Sequence, residues 1–226
     1  MAAKKRGGRI NNDVFDIANI KPLTDNQRKA FDSEKNLVLC GAAGSGKSFL
    51  ACYFAVSELS TYNYTNIVIV RSAVPSRDIG FLPGTDKEKI RIYEEPYYGI
   101  FSELLGRGDA YEVLKAKNVL NFATTSYLRG VTFRNSFIIL DECQNLEFKE
   151  LDTLITRLGD NCRIVICGDF RQTDLRKNGM QKFLKVIDKM PEDFDVVEFT
   201  TEDIVRSGLV ARYLKTVEAM NEDFFS

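Results

Sequence analysis

Residues 41–48 read GAAGSGKS, a G-x-x-x-x-G-K-[ST] run. The apolar stretch NLVLC precedes it and the apolar-periodic stretch SFLACYFAV follows. The run therefore sits where a buried strand turns into a helix, the setting in which such a loop wraps phosphate. Its glycines let the backbone approach phosphate oxygens with no Cβ in the way. The amides of Ala43 to Ser48 can converge as a nest at the positive end of the helix. In this pattern Lys47 reaches the β- and γ-phosphates and Ser48 ligates Mg²⁺. The nucleotide-binding candidates are Gly41, Ala42, Ala43, Gly44, Ser45, Gly46, Lys47, Ser48 and Phe49.

A loop of this kind belongs to an α/β sheet, and the rest of the chain supplies one. Leu37–Cys40, Ile67–Arg71, Val119–Phe122, Phe137–Leu140, Ile164–Cys167 and Val196–Phe199 are short, nearly continuous apolar runs. They suit parallel strands covered on both faces. Helical spacing appears over 23–33, 46–60, 147–158 and 179–188, and again in the charged, aromatic KEKIRIYEEPYYGIFSELL, residues 87–105. Thr24 stands at an N-cap position. The alternation predicts a parallel sheet sandwiched by helices.

Two further strands end in polar residues. FIILDECQ delivers Asp141 and Glu142 at the carboxyl edge of the sheet, where ligands bind in open α/β folds. Asp141 is placed to hold Mg²⁺ and Glu142 to polarise an attacking water; this pair is expected from a strand adjacent to that of the phosphate loop. RIVICGDFRQTDL ends in Gly-Asp-x-x-Gln, and Gln172 has the reach to sense a γ-phosphate or orient water. No Asn/Thr-Lys-x-Asp guanine reader occurs in the chain. The acidic pair favours water as acceptor over a bound small molecule, and thus ATP hydrolysis.

Composition removes other chemistries. The 226 residues contain no histidine, so His-based acid–base catalysis and His metal sites are excluded. Five cysteines form no CxxC pair, which argues against zinc and, with no secretory segment, for a reducing cytoplasm. The apolar runs are far too short to span a membrane. Net charge is −1, which excludes a globally basic coat but not a local basic face. Residues 1–22 begin MAAKKRGGRI and are expected to form a flexible basic arm, solvated or touching nucleic acid, ahead of one domain over 23–226.

In order along the chain, GAAGSGKS, GFLPG followed by KEK, YLRGVTFRNSFIILDECQN, GDFRQTDL and DIVRSGLV resemble PhoH-like P-loop proteins over roughly residues 23–217. The resemblance implies a single RecA-like core that binds and hydrolyses ATP. It also implies self-association in rings, hexameric ones, and a link to RNA or single-stranded DNA. A chain of this length looks like the short bacterial and phage forms. By position, Gln27 resembles a glutamine that reads the adenine edge, though it also reads as a solvent-facing helix residue. Arg129 and Arg206 match arginines that stabilise γ-phosphate charge, in their own subunit or a neighbour; Arg206 also reads as a partner for Glu202 or Asp203. Arg71, Lys87 and Lys89 are candidates for a polynucleotide path or for a solvated face. Tyr93, Tyr97 and Tyr98 could stack on bases or pack on the sheet. The segment RSAVPSRDIGFLPG departs from the Thr-Arg-Pro start common in the family, and no histidine follows Arg206.

Three functions compete on these grounds: a ring or nucleic-acid-coupled ATPase, a slow nucleotide-binding regulator, and, last, a small-molecule phosphotransferase. Unwinding would need several copies, because the chain has room for one core.

Overall fold

The computed structural model describes residues 17–61, 63–72, 86–125, 128, 130–169 and 179–225, with 86–89, 145, 218 and 221–225 described by backbone alone. Six strands form one sheet: β1 (Asn36–Gly41), β2 (Asn66–Arg71), β3 (Leu120–Thr124), β4 (Ser136–Asp141), β5 (Cys162–Gly168) and β6 (Phe194–Phe199). Their order is β3-β2-β4-β5-β1-β6, and every pairing is parallel. All six predicted strands are present. The sandwich is α/β and RecA-like, with the phosphate loop leaving β1 inside the sheet.

Alternate residues of the strands feed two separate cores, as a two-residue side-chain period requires. Leu37, Leu39, Ile67, Ile69, Phe137, Ile139, Val165 and Cys167 face one way. That layer packs on α1 (Asp25–Asp32), α2 (Lys47–Ser60), α3 (Asp86–Leu105) and α4 (Ala110–Ala116). Val38, Val68, Val70, Ile138, Leu140, Ile164 and Ile166 face the other way, onto α5 (Phe148–Ile155) and α6 (Gly179–Ile187). Strands buried on both faces carry no polar alternation, which is why the sequence runs read as solidly apolar.

Thr24 caps α1, its hydroxyl accepting the Gln27 N–H. The chain ends in α7 (Gly208–Phe225), where Leu209, Tyr213 and Met220 are exposed. Helices α4 and α7 have no counterpart in the sequence reading. Ile17 and Ile20, assigned to the arm by sequence, pack against the core, and the Ala18 N–H donates to the Leu104 carbonyl at 2.8 Å. Residues 1–16 lie outside the described residues.

Candidate nucleotide-binding site

The phosphate loop is built on three glycines with positive φ: Gly41 (108°), Gly44 (79°) and Gly46 (86°). Space compels the first as firmly as conformation does, because a Cβ on Gly41 would collide with the backbone carbonyl of Phe199 on β6. Gly46 is the N-cap of α2, so the helix opens with its free N–H groups toward the loop. Lys47 curls back over the loop and donates to the carbonyls of Gly41 (2.9 Å) and Ala42 (2.7 Å). Ser45 is fully buried and closes the loop from inside, its hydroxyl donating to the Ala42 carbonyl at 2.9 Å.

Asp141 meets this loop, although its strand is not the neighbour of β1. β5 lies between β4 and β1, which corrects the expectation of an adjacent strand. Gly168, at the end of β5, lines the same cleft as Asp141 and Lys47. Ser48 Oγ donates to Asp141 Oδ1 at 2.9 Å. Tyr97 Oη, from α3, donates to Asp141 Oδ2 at 2.7 Å in a buried contact. Burial pushes the Asp141 carboxyl above its ordinary range, and the hydrogen bonds from Tyr97 and Ser48 pull against it. Burial likewise lifts the Tyr97 phenol, and the Asp141 charge adds to that rise. Tyr97 thus stays a donor.

Glu142 follows with φ 54° and ψ 41°. A non-glycine residue in this left-handed region is strained. The backbone turn takes Glu142 out of the strand's alternation and leaves its side chain partly exposed. Gln144 Nε2 donates to Glu142 Oε2, while Gln144 Oε1 accepts the Asp169 N–H at 3.3 Å. Arg71, at the end of β2, lies 3.9 Å from Glu142 Oε1 and donates to the Tyr93 carbonyl at 3.4 Å. Its guanidinium sits 5.8 Å from the centroid of the Tyr93 ring.

Loop and acids open onto one cleft of about 670 Å³. Gln27, Ala43, Gly44, Gly46, Lys47, Ser48, Phe49, Asp141, Glu142 and Arg206 all line it. Ile20, Lys21, Leu23, Leu50, Ile100, Glu103, Gln144, Gly168, Asp169 and Val205 complete the lining. Gln27 is 3% exposed, so it is not a solvent-facing helix residue. Its Nε2 donates to the Ser45 carbonyl at 3.1 Å and its Oε1 accepts the Leu23 N–H at 2.8 Å. Arg206 reaches the loop from the C-terminal side: a Cβ on Gly44 would stand 2.9 Å from Arg206 Cγ, and the Val205 N–H donates to the Gly44 carbonyl at 3.1 Å. The acids considered as partners of Arg206 are held elsewhere, Glu202 by Lys215 and Asp203 by Asn26 and Thr200.

Arg129 and Gln172 lie outside the described residues, as do the side chains of Lys87 and Lys89. The three tyrosines considered for base stacking have other contacts. Tyr97 is buried on Asp141, Tyr98 packs on Tyr111 at 4.4 Å between ring centroids, and Tyr93 lies beneath Arg71.

The sequence profile described as "PhoH-like protein" matches residues 19–218. The chain belongs to this family. The PhoH-like protein of Mycobacterium tuberculosis is 34% identical over 199 residues, covering 85% of this chain and 56% of its own length. The PhoH-like protein of Bacillus subtilis is 35% identical over 185 residues, 80% of this chain and 57% of its own. Protein PhoH of Escherichia coli is 32% identical over 190 residues, 82% and 54%. The matched region is thus a little over half the length of these relatives. Among solved structures, the Sulfolobus solfataricus SWI2/SNF2 ATPase core in complex with dsDNA matches at 13% identity and a TM-score of 0.46, covering 83% of this chain and 46% of that one. Bacteroides Pif1 bound to ssDNA matches at 16% and 0.36, covering 79% and 42%.

Within the PhoH-like core the sequence reading missed Tyr97 and Gln144 as partners of the acids, and Ile20, Lys21, Ile100 and Glu103 as lining. The first two carried a signal: a tyrosine one helical turn after Tyr93, and a glutamine two positions after Glu142. The cleft-lining residues of the segment before α1 and of α3 carried none, since tertiary contacts such as the Ala18 N–H to the Leu104 carbonyl join the two segments.

Proposed function

We propose that this chain binds ATP with Mg²⁺ and hydrolyses it, and that it works as a self-associated ring, hexameric by family resemblance, on RNA or single-stranded nucleic acid. The observation that carries the catalytic part is the pairing of Ser48 Oγ with Asp141 Oδ1 at 2.9 Å, in the cleft that Lys47 and Glu142 also line. A hydroxyl and a carboxylate side by side are hard oxygen donors, suited to Mg²⁺. Mg²⁺, when bound, would neutralise charge on the β- and γ-phosphate oxygens.

The rest is the work of the chain. Loop amides and Lys47 orient the triphosphate; for this the Lys47 ammonium exchanges its two carbonyl partners for phosphate oxygens. Glu142, raised from the strand by its left-handed backbone and steadied by Gln144, accepts a proton from the attacking water. Arg206 brings positive charge to the loop from its own subunit. Gln27 fixes the loop at Ser45 and offers its second amide hydrogen toward the cleft. The ring and the nucleic acid rest on the family resemblance.

Phosphate release from ATP, measured with and without single-stranded RNA, tests the reading. Turnover is expected in the native chain, with loss in Lys47→Ala and in Glu142→Gln, the latter still binding ATP. Tight ATP binding with negligible turnover, unaffected by RNA, would leave the regulator reading in its place. No heat on titration of ATP would remove both.

A further inference from the structure

One helix reaches both acids at the end of β4, Asp141 directly and Glu142 through Arg71 of β2. Tyr97 of α3 donates its phenol to Asp141 Oδ2 at 2.7 Å. One turn earlier, Tyr93 holds Arg71 through its carbonyl (3.4 Å) and under its ring (5.8 Å), and Arg71 faces Glu142 Oε1 at 3.9 Å. The two contacts differ in strength. The Arg71–Glu142 pair is long and partly exposed, a geometry that contributes little. The Tyr97–Asp141 bond is short, buried and charge-assisted, the stronger class. Tyr97 is 1% exposed and Asp141 is 5% exposed, so water cannot replace the phenol.

We infer that Tyr97 is a positioning residue for the cation: it occupies Oδ2 of Asp141 and so fixes the carboxylate with Oδ1 turned toward Ser48. This deepens the proposed function and rests on it. A carboxylate offers two equivalent oxygens about a freely turning bond, and a cation would select one of several poses. Here the phenol at Oδ2, together with the Glu142 N–H that Oδ1 accepts at 3.0 Å, removes that freedom before any ligand arrives. Ser48 Oγ and Asp141 Oδ1 are then the donors left on the cleft side. A hydrogen bond to a carboxylate that itself holds a cation orients it and tunes its basicity. Phe122 packs against the Tyr97 ring at 6.0 Å between centroids, so the phenol is held by β3 as well as by α3.

The same helix carries Ile100 and Glu103, three and six residues on, which line the cleft together with Asp141.

The test uses Mn²⁺ as a stand-in for Mg²⁺, with free Mn²⁺ followed by electron paramagnetic resonance in the presence of a non-hydrolysable ATP analogue. Tyr97→Phe removes only the hydroxyl. Its Mn²⁺ affinity is expected to fall on the order of tenfold, while its affinity for the analogue in EDTA stays at the native value. The Mg²⁺ concentration for half-maximal turnover should rise by a similar factor, with turnover at saturating Mg²⁺ close to native. Tyr97→Leu, also apolar and also lacking the hydroxyl, is the second variant, and thermal unfolding in EDTA reports whether each is folded. Native Mn²⁺ affinity in either folded variant would overturn the assignment of Tyr97 alone. A native chain that binds neither analogue nor Mn²⁺ would overturn the nucleotide reading and this inference with it.

Discussion

Ser48 Oγ and Asp141 Oδ1 stand 2.9 Å apart, joining the first turn of α2 to the end of β4 across an intervening strand. Nothing local in the chain brings them together; 93 residues separate them in sequence. Parallel pairing does. With β5 in register between β1 and β4, the carboxyl ends of the three strands line up at one edge.

Ser48→Ala removes the only side-chain oxygen of that pair carried by α2, and leaves the amides of the loop intact. Binding of ATP in EDTA is expected to be unchanged. The Mg²⁺ needed for half-maximal turnover should rise at least about tenfold, in line with the loss of a metal-side contact. Calorimetry with and without Mg²⁺ separates the two effects. Equal loss of binding in both conditions would place Ser48 in the support of the loop instead.

Gln144 bridges Glu142, just beyond β4, and the Asp169 backbone beyond β5. It therefore sets the height of the general-base candidate without touching the loop. Gln144→Ala should lower kcat about tenfold, less than the roughly 10²–10⁴-fold that a general base contributes because Glu142 itself is retained, with KM for ATP unchanged. Steady-state kinetics at saturating Mg²⁺ decide it; a raised KM at native kcat would show that Gln144 contacts the nucleotide rather than Glu142.

The sheet was legible because burial on both faces writes itself as unbroken apolar runs, and the loop because close backbone approach demands glycine. Strand order was not. The acids were placed on a neighbouring strand, and no feature of FIILDECQ or RIVICGDF says which of the two lies beside β1. Partners of the acids were also hidden: a tyrosine in KEKIRIYEEPYYGIFSELL looks alike whether it packs on the sheet, stacks on a base or donates to Asp141. Only the pitch of α3 over the strand ends distinguishes them. The left-handed turn at Glu142 was invisible for a different reason, since the strain of a glutamate there is held by its surroundings rather than by residue type.

Two glycines of the loop should answer differently to the same change. Gly41→Ala puts a Cβ into the Phe199 carbonyl at φ 108°, within the pairing of β1 and β6. The obstacle is main chain held in a parallel ladder rather than a side chain that can turn away, so a loss of about 3 kcal/mol or more is expected. Gly44→Ala also sits at positive φ, 79°, but meets Arg206 Cγ at 2.9 Å, the root of an exposed and adaptable side chain. The cost there is about 1–2 kcal/mol of backbone strain, with Arg206 displaced and turnover reduced more than ATP binding. Denaturant unfolding beside kinetics checks both, and similar stabilities for the two variants would contradict the contrast.

Asp203 holds the turn that precedes Arg206 in the chain. Its Oδ2 accepts from Asn26 Nδ2 at 2.8 Å, from the Thr200 N–H at 2.8 Å and from Thr200 Oγ1 at 3.2 Å, tying α1 to the turn after β6. Burial alone would raise its carboxyl, but hydrogen bonds from Thr24, Asn26 and Thr200 outweigh that and hold it below the ordinary range. The folded chain then binds fewer protons at this site than the unfolded chain, so its stabilisation is fully present above the unfolded pKa of about 3.9. It fades as pH falls from there through the lower folded value. Asp203→Asn keeps the shape and removes the charge; at neutral pH it should cost about 1–2 kcal/mol, as expected for hydrogen bonds to a charged group. The difference from the native chain should shrink as pH is lowered below about 4, because protonation does to the native residue what the substitution does at every pH. Urea unfolding at pH 7, 5 and 3.5 measures this, and a difference that stays constant over that range would show that the Asp203 charge does not hold the turn that delivers Arg206.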